Sequence, residues 1–367
     1  MSVAASKNPH HDGDMKSETF HIIGGGIAGL ASAIAVANAG HKAFVLEKAP
    51  KFEAIGAGLQ LGPNAVRALQ QLGAWDAVSP ITSSPSEIHI RNGVNGKTLK
   101  RIPLGISFEQ RFGMSYRVAH RADLVQALLA VAKSKTQITI KTNTEILDHT
   151  AYENVIAADG VWSKTRESLF PGSAAIVTPE IFYRALLPNP NTNCVTLWLY
   201  PRGHVVHYPI GNPLQLNLVA ITQGQAPLEH FAKACDELKN ILTQVSEFTT
   251  WQAAYVKSLK KWNQGSVTLI GDAAHGTLPY LAQGAAMALE DAAALSPILI
   301  NKGENSVSET FETLEKHRMK RSNLLHRSTV AVGNIYHLKG FPAAIRNAVF
   351  KIAPSSLFLN QQSWLYK

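Results

Sequence analysis

The N-terminal part of the chain alternates short apolar runs with segments of helical periodicity. Each apolar run is too short for a helix and ends at glycine or an acidic residue, so it predicts a buried strand. The helical segments place apolar residues three and four positions apart or are rich in alanine. The predicted strands cover 21–23, 43–46, 155–158 and 267–270, and the predicted helices cover 30–38, 121–132 and 284–295. This alternation predicts an α/β fold that contains a Rossmann-like unit.

A second group of segments predicts additional strands and a helical C-terminus. Residues 88–90 and 98–102 flank Asn95-Gly96 and predict a hairpin. Further strands are predicted at 194–200, 205–209 and 215–221, with the first two joined through residues 201–203. Residues 56–64 predict a loop that opens a helix at Ala65, and a helical pattern continues from about Ser308 to the end.

Length and composition indicate a globular protein of two domains, or of one large domain with a second one inserted. The chain has 367 residues, of which 46% are hydrophobic, which allows a sizeable core. No apolar run is long enough to span a membrane, and residues 1–17 lack the apolar block of a secretory signal, so a disordered tail is predicted there. Cys194 and Cys235 are too few for a disulfide framework, which favours a reducing, cytoplasmic location.

The net charge of +9 does not by itself indicate nucleic-acid binding. The basic residues are scattered, and the densest groups lie at 257–261 and 317–321. Such a distribution is typical of a solvated surface, with attraction of anionic cofactors and carboxylate substrates as the functional alternative.

Gly24, Gly26 and Gly29 have the G-x-G-x-x-G spacing between a predicted strand and a predicted helix. Gly24 suits a tight turn, Gly26 lets the backbone approach a pyrophosphate, and Gly29 lets the helix and strand pack closely. The helix N-terminus offers unpaired N–H groups to phosphates. Glu47 ends the next apolar run, where its carboxylate can accept hydrogen bonds from ribose hydroxyls. The whole unit therefore predicts dinucleotide binding.

Two more strands end at an acidic residue. Asp159 follows 155–158, and Asp272 follows 267–270. Ligands of α/β sheets bind at the carboxyl ends of strands, so Asp272 could accept a hydrogen bond from a polyol hydroxyl while the helix at Gly284 stabilises an anion. The alternatives are a plain turn residue for Asp159 and a helix N-cap for Asp272.

The three corners, in this order, resemble the FAD-dependent aromatic hydroxylases, which are single-component flavoprotein monooxygenases. The similar segments are 24–29 with Glu47, 158–166, and 271–275 continued by 283–292; His120 to Leu124 resembles the segment whose arginine reaches FAD. Segments 183–186, 203–209, 335–338 and 364–366 resemble the salicylate-hydroxylase-like branch.

The resemblance implies an α/β fold in which a Rossmann-like FAD-binding domain is interrupted by a β-sheet substrate domain and followed by a helical C-terminal part. The implied FAD-binding segments are 18–80, 117–174 and 257–300, the substrate-domain segments are 81–116 and 175–256, and the helical region is 301–367. The implied FAD contacts are Gly24, Gly26, Gly29, Glu47, Lys48, Arg121, Asp159, Asp272, Gly284, Ala285 and Ala286.

The resemblance also implies chemistry. NADH or NADPH reduces FAD, dioxygen adds at flavin C4a, and the hydroperoxide hydroxylates a small aromatic acid of the salicylate, hydroxybenzoate or hydroxynicotinate type. The expected partners are thus an aromatic substrate and dioxygen, without nucleic acid, membrane or metal, in a monomer or homodimer. The sequence does not choose the substrate, the nicotinamide or whether decarboxylation accompanies hydroxylation.

Electrophilic hydroxylation requires an activated ring, usually a deprotonated phenol, and hence a base or acceptor beside the substrate. His204, Val206 and Tyr208 share one face of a predicted strand, and the two ends of this set lie about 13 Å apart, so one ring fits between them. Pro279 and Gln283 are expected to line the cavity, with Gln283 bonding the substrate. The alternatives are that His204 is a structural histidine in the sheet, that Tyr208 is a core aromatic residue and that Gln283 serves only to pack the loop.

Regions 147–155 and 223–262 are shorter than the family pattern, and Gly276 replaces its usual proline. Two further functions therefore stay open: a degenerate or uncoupled flavoprotein that acts as an NADH oxidase, and a non-catalytic scaffold on the same fold. The Trp-x-Trp-x-Ile-Pro segment of flavin halogenases is absent from the sequence.

Overall fold

The computed structural model describes residues 17–52, 58–188, 192–211 and 215–366. The predicted disordered tail therefore lies outside the described residues, except for Ser17, whose hydroxyl donates to the carbonyl of Gly40. The first two residues of the predicted loop at 56–64 also lie outside them.

The strands of the described ranges are β1 Thr19–Ile23, β2 Lys42–Leu46, β3 Gly58–Leu61, β4 Thr82–Ser83, β5 Glu87–Asn92, β6 Thr98–Pro103, β7 Arg117–His120, β8 Ile138–Lys141, β9 Val155–Ala157, β10 Ile176–Pro188, β11 Cys194–Tyr200, β12 Gly203–Ile210, β13 Gln215–Thr222, β14 Thr249–Tyr255, β15 Asn263–Gln264 and β16 Val267–Leu269.

The α-helices there are α1 Ile27–Asn38, α2 Pro63–Gln71, α3 Trp75–Val78, α4 Ile106–Phe112, α5 Arg121–Lys133, α6 Lys164–Leu169, α7 Pro227–His230, α8 Asp236–Thr243, α9 Asp272–His275, α10 Gly284–Ile300, α11 Val307–Tyr336, α12 Gly340–Ile352, α13 Ser355–Gln361 and α14 Ser363–Tyr366. Short 3-10 helices cover Ser79–Ile81, His149–Ala151 and Pro279–Leu281. None of these described helices is long and apolar enough to cross a membrane.

The first sheet has the order β15-β16-β9-β1-β2-β8 and is parallel except at β15. Its central strands are buried on both faces, which explains why they are continuous apolar runs rather than alternating ones. Helices α1 and α10 pack together against this sheet in the largest apolar cluster. The register aligns Ala157 with Ile23 and with Leu269, so β1, β9 and β16 end at the same edge. The three predicted corners therefore meet there.

The second sheet has the order β14-β10-β13-β12-β11-β5-β6. The predicted hairpin is confirmed as the antiparallel pair β5 and β6. The three strands predicted between residues 194 and 221 are also confirmed; β11 and β12 are joined by a tight turn at which Arg202 adopts a positive φ of 59°. The sequence did not reveal β10 and β14, which pair with each other beside β13.

The prediction of a loop up to residue 64 is wrong for the described residues 58–64. Gly58–Leu61 forms β3, which pairs with β7, and α2 begins at Pro63 rather than at Ala65. Proline suits the first position of a helix because the amide hydrogen that it lacks has no acceptor there. In the shortened region 147–155, the 3-10 turn His149–Ala151 leads directly into β9.

Candidate active site

A cavity of about 1070 Å³ lies between the carboxyl edge of the first sheet and one face of the second. The first sheet contributes the loops after β1, β9 and β16 and the start of α10, whereas β10, β12, β13 and β14 contribute the opposite wall. Among the predicted site residues, those that line it are Gly26, Arg121, His204, Tyr208, Asp272, Pro279, Gly284 and Ala285.

The glycine loop is built for close packing and for an anion. A Cβ on Gly29 would overlap the carbonyl oxygen of Gly24, so the helix and the turn touch here. Gly24 itself has a φ of 99°, in the region that glycine adopts readily. At Gly26 an added Cβ would meet no atom of the described residues within 4 Å, so this side of the glycine is open to them. No side chain caps α1, and its first N–H groups are available to phosphate oxygens.

Glu47 lies beside this loop, as expected from the motif. Its carboxylate accepts hydrogen bonds from the N–H of Gly25 at 2.5 Å and from the N–H of Ala49 at 2.8 Å. Glu47 and Lys48 do not line the cavity, and Lys48 is exposed. Contact of either residue with FAD therefore stays a prediction.

The second corner holds a buried, half-satisfied carboxylate. One oxygen of Asp159 accepts from the backbone and the hydroxyl of Thr165, whereas Oδ1 is buried and has no partner among the described residues. Its neighbours Ala158 and Gly160 form the cavity wall. Buried Arg166 donates to the carbonyls of Val161 and Ala273 and so joins this corner to the third one.

At the third corner Asp272 lines the cavity, and its side chain does not cap α9. The N-cap alternative is therefore wrong. A Cβ on Gly284 would lie 3.9 Å from Asp272 Oδ1, which places this carboxylate beside the start of α10. No side chain caps α10, so its first N–H groups are available to an anion. Ala286 is not part of the cavity wall and its side chain is fully buried in the core, so its contact with FAD stays a prediction.

A buried ion cluster holds the third corner in place. Asp291 accepts from the N–H of Gly271 at 3.1 Å, from His275 Nε2 at 2.5 Å and from Arg318 Nε at 2.8 Å. Burial raises the pKa of Asp291, but the His275 and Arg318 charges outweigh it and bring this pKa to about 2. His275 thus helps to hold this corner through its hydrogen bond with Asp291.

On the opposite wall, His204, Val206 and Tyr208 face the cavity together from β12, as the alternation predicted. His207 points to the other side, where its Nε2 accepts from Trp198 Nε1 at 3.0 Å. His204 is buried, and its Nδ1 lies 2.9 Å from His337 Nε2. Burial, helped by His337, holds the pKa of His204 well below its usual range, so the ring is neutral at pH 7.

Tyr208 is also buried, and its hydroxyl lies near Gln60, whose side-chain oxygen accepts from the Tyr116 hydroxyl at 2.5 Å. Burial raises the pKa of Tyr208 despite the nearby charge of Arg184. The hydroxyl therefore stays protonated at pH 7 and serves as a hydrogen-bonding group rather than a base.

The prediction that Gln283 lines the cavity is wrong. Its Oε1 accepts from Asn64 Nδ2 at 2.9 Å, its side chain is buried, and it is not part of the cavity wall. Asn64 also donates to Glu290, which Arg318 and Arg321 hold in turn. The loop-packing alternative fits this arrangement. Pro279 does line the cavity, as expected.

Arg184 lines the same cavity from β10, and the sequence patterns had predicted no role for it. Its guanidinium carbon lies 3.3 Å from the ring centroid of Trp251, and its Nε is buried with no partner among the described residues. Burial lowers the pKa of Arg184 to about 10, so it remains a cation at neutral pH. The available signal was a basic residue within the otherwise apolar run 181–187.

The shape and lining of the cavity suit FAD independently of the sequence resemblance. Two uncapped helix N-termini and the open face of Gly26 suit the pyrophosphate and the electron-rich ring. Asp272 suits a hydroxyl, and the cavity is large enough to accept both a cofactor and a small ring.

Comparisons with known proteins agree with this geometry. A family model described as FAD binding domain matches residues 16–158 and 221–329. A 3-hydroxybenzoate 6-hydroxylase from Polaromonas naphthalenivorans is 33% identical over 380 residues, covering 94% of each chain. A 6-hydroxynicotinate 3-monooxygenase from Pseudomonas fluorescens is 29% identical and covers 85% of this chain and 90% of its own.

The fold agrees as well. A salicylate hydroxylase solved as a substrate complex superposes with a TM-score of 0.78 over 95% of each chain, at 21% identity. The family match covers more than half of the chain, and the identity to the hydroxybenzoate enzyme extends over nearly all of it. The chain therefore belongs to the FAD-dependent aromatic hydroxylases, a family of flavoprotein monooxygenases.

Proposed function

We propose that this enzyme hydroxylates a small aromatic acid that carries a phenolic hydroxyl, using FAD, dioxygen and NADH or NADPH. The observation that carries the proposal is the half-buried cation of Arg184, whose buried Nε has no partner among the described residues and which no carboxylate of those residues neutralises. A buried charge without a partner is costly, so a carboxylate ligand is its natural complement. The 3-hydroxybenzoate hydroxylase similarity supports the same substrate class.

Three side chains of the second sheet divide the binding of such a substrate. Arg184 pairs with the carboxylate, and Tyr208 donates a hydrogen bond to a ring substituent. His204 accepts the phenolic proton at Nε2, which has no partner among the described residues. A neutral imidazole is required for this role, and burial keeps His204 neutral.

The residues of the first sheet hold the cofactor. The N–H groups at the start of α1 bind the pyrophosphate, Asp272 binds a hydroxyl of the chain that links it to the ring, and Arg121 approaches from the side. The start of α10 stabilises negative charge on the reduced ring. FAD, when bound and reduced by a nicotinamide, supplies the activated oxygen for hydroxylation.

The direct test is to purify the protein with FAD and to measure NADH and NADPH oxidation with salicylate, 3-hydroxybenzoate and 6-hydroxynicotinate. We expect one acid to stimulate oxidation, with hydroxylated product formed in proportion. Hydrogen peroxide without product would favour the uncoupled oxidase, and failure to bind excess FAD would favour the scaffold.

The role of His204 has its own test. We expect His204→Ala to spare FAD reduction but to lower the amount of product formed per NADH consumed. The reason is that a substrate whose phenol is still protonated reacts poorly in electrophilic hydroxylation. Rapid-reaction absorbance of the flavin and chromatography of the product measure the two quantities. Equal loss of both would contradict the role of base.

A further inference from the structure

His204, on the cavity wall, is hydrogen-bonded to a second histidine, His337, to which the reaction described above assigns no role. His204 Nδ1 and His337 Nε2 are 2.9 Å apart, which is a hydrogen bond between two rings from strand β12 and the end of α11. Tyr280 and Tyr336 pack around His204 at ring distances of 5.6 and 5.5 Å. His204 is 3% exposed, whereas His337 is only partly buried.

A proton taken up by His204 therefore has a defined hydrogen-bonded neighbour in His337, which is the more exposed of the two rings. We propose that His337 is a relay residue that passes the phenolic proton from His204 to solvent. This inference rests on the proposed function, because the proton comes from the bound phenol.

The step balances without any other reactant. The substrate O–H bond breaks and a bond forms between that proton and His204 Nε2. At the same time His204 Nδ1–H breaks, His337 Nε2–H forms, and His337 Nδ1 releases its proton to water. Both rings end neutral with their tautomers exchanged, and the substrate is left as the phenolate.

The electrostatics of the pair suit transfer rather than storage of a proton. Burial lowers the pKa of both rings, to about 4 for His337, so an imidazolium is unfavourable at either position. The charged and titratable groups that face His337 are Glu180 from β10, His230 from α7 and Arg346 from α12, and their effects on its pKa oppose one another. A concerted relay, in which neither ring is ever an imidazolium, is compatible with these lowered pKa values.

The competing explanation is that His337 only orients the His204 ring. His337→Gln separates the two, because the glutamine carbonyl can still accept from His204 Nδ1 but cannot release a proton onward. His337→Ala removes both functions, and it leaves space for added imidazole. His230→Gln is the matched control, since it lies near His337 but is not hydrogen-bonded to His204 in the structure.

The experiment uses the oxidised holoenzyme with the acid that stimulates NADH oxidation. Phenol ionisation in the complex is followed by ultraviolet absorbance after a rapid upward pH jump. We expect His337→Gln to slow ionisation by at least about tenfold with the substrate Kd unchanged, and imidazole to restore the rate in His337→Ala.

Wild-type rates in His337→Gln, or equal slowing in His230→Gln, would overturn the relay and leave the proposed function intact. Absence of any ionisable aromatic ligand for the wild-type holoenzyme would overturn both together. These outcomes are distinguishable because the wild type is measured first.

Discussion

Single residues decide which ligand this cavity accepts. Arg184 and Arg121 are the basic residues among the described residues of its wall, and the only acidic one there is Asp272. Arg184 stacks on Trp251, which holds its planar group in place while its buried Nε has no partner among the described residues. Guanidinium suits a carboxylate because its donors match the two oxygens.

We expect Arg184→Met to weaken binding of the aromatic acid by about 10- to 100-fold, the loss typical of a hydrogen-bonded charge pair. Binding of plain phenol, which lacks the carboxylate, should change little and serves as the matched control ligand. Titration of flavin absorbance measures both. Equal weakening for the two ligands would show that Arg184 acts through packing instead.

A second single residue, His207, makes the free energy of unfolding depend on pH. Burial lowers the pKa of His207 from 6.5 to about 4. As the pH falls, the unfolded chain therefore binds a proton before the folded one. The contribution of neutral His207 to the free energy of unfolding is thus fully present above pH 6.5 and is lost between about pH 6.5 and pH 4.

We expect His207→Gln, whose carbonyl can still accept from Trp198, to remove about 3 kcal/mol of the fall in unfolding free energy between pH 7 and pH 4. Urea denaturation at several pH values checks this. An unchanged pH dependence would show that His207 is protonated in the folded protein.

At the scale of elements, two glycines at the junction of β1 with α1 have different surroundings. Gly29 contacts the Gly24 carbonyl inside the protein, whereas Gly26 faces the open cavity with a φ of −73° that alanine also adopts. The same motif therefore contains one glycine that the packing requires and one, Gly26, that we expect to matter for the approach of FAD.

We expect Gly29→Ala to lower the melting temperature of the apoprotein, because the turn must move to accept the new Cβ. Gly26→Ala should leave that temperature within about 2 °C while reducing FAD affinity at least tenfold. Calorimetry and flavin titration measure the two effects. A loss of apoprotein stability in Gly26→Ala would contradict this division.

At the scale of the whole molecule, the cavity is completed by both sheets. The glycine loop and Asp272 come from the first sheet, while His204 and Arg184 come from the second. A ligand that spans the cavity should therefore stabilise the chain as a unit.

We expect FAD at 100 times its Kd to raise the unfolding free energy by about 2.7 kcal/mol and the melting temperature accordingly. Asp272→Ala should abolish flavin binding and with it this increase, since its carboxylate is the acidic group of the cavity wall among the described residues. Thermal scans with and without FAD check the prediction. A normal increase in Asp272→Ala would place the essential contacts elsewhere.

Spacing along the chain was sufficient to predict the features that depend on near neighbours. The glycine motif and the acids after β9 and β16 follow from the order of residues, and the hairpin of β5 and β6 follows from two runs around a turn sequence. The shared face of His204 and Tyr208 follows from strand periodicity. The family resemblance followed from the same short motifs, and the comparisons confirmed it.

Which distant residues meet depends on the tertiary structure. Arg184 reaches Trp251, His204 reaches His337, and Gln283 turns to Asn64 instead of the cavity. These partners are far apart along the chain, so strand order and the packing of helices set the contacts, and no periodicity encodes them. Spacing along the chain fixes which face a side chain occupies, whereas the free energy of burial and pairing fixes what it meets there.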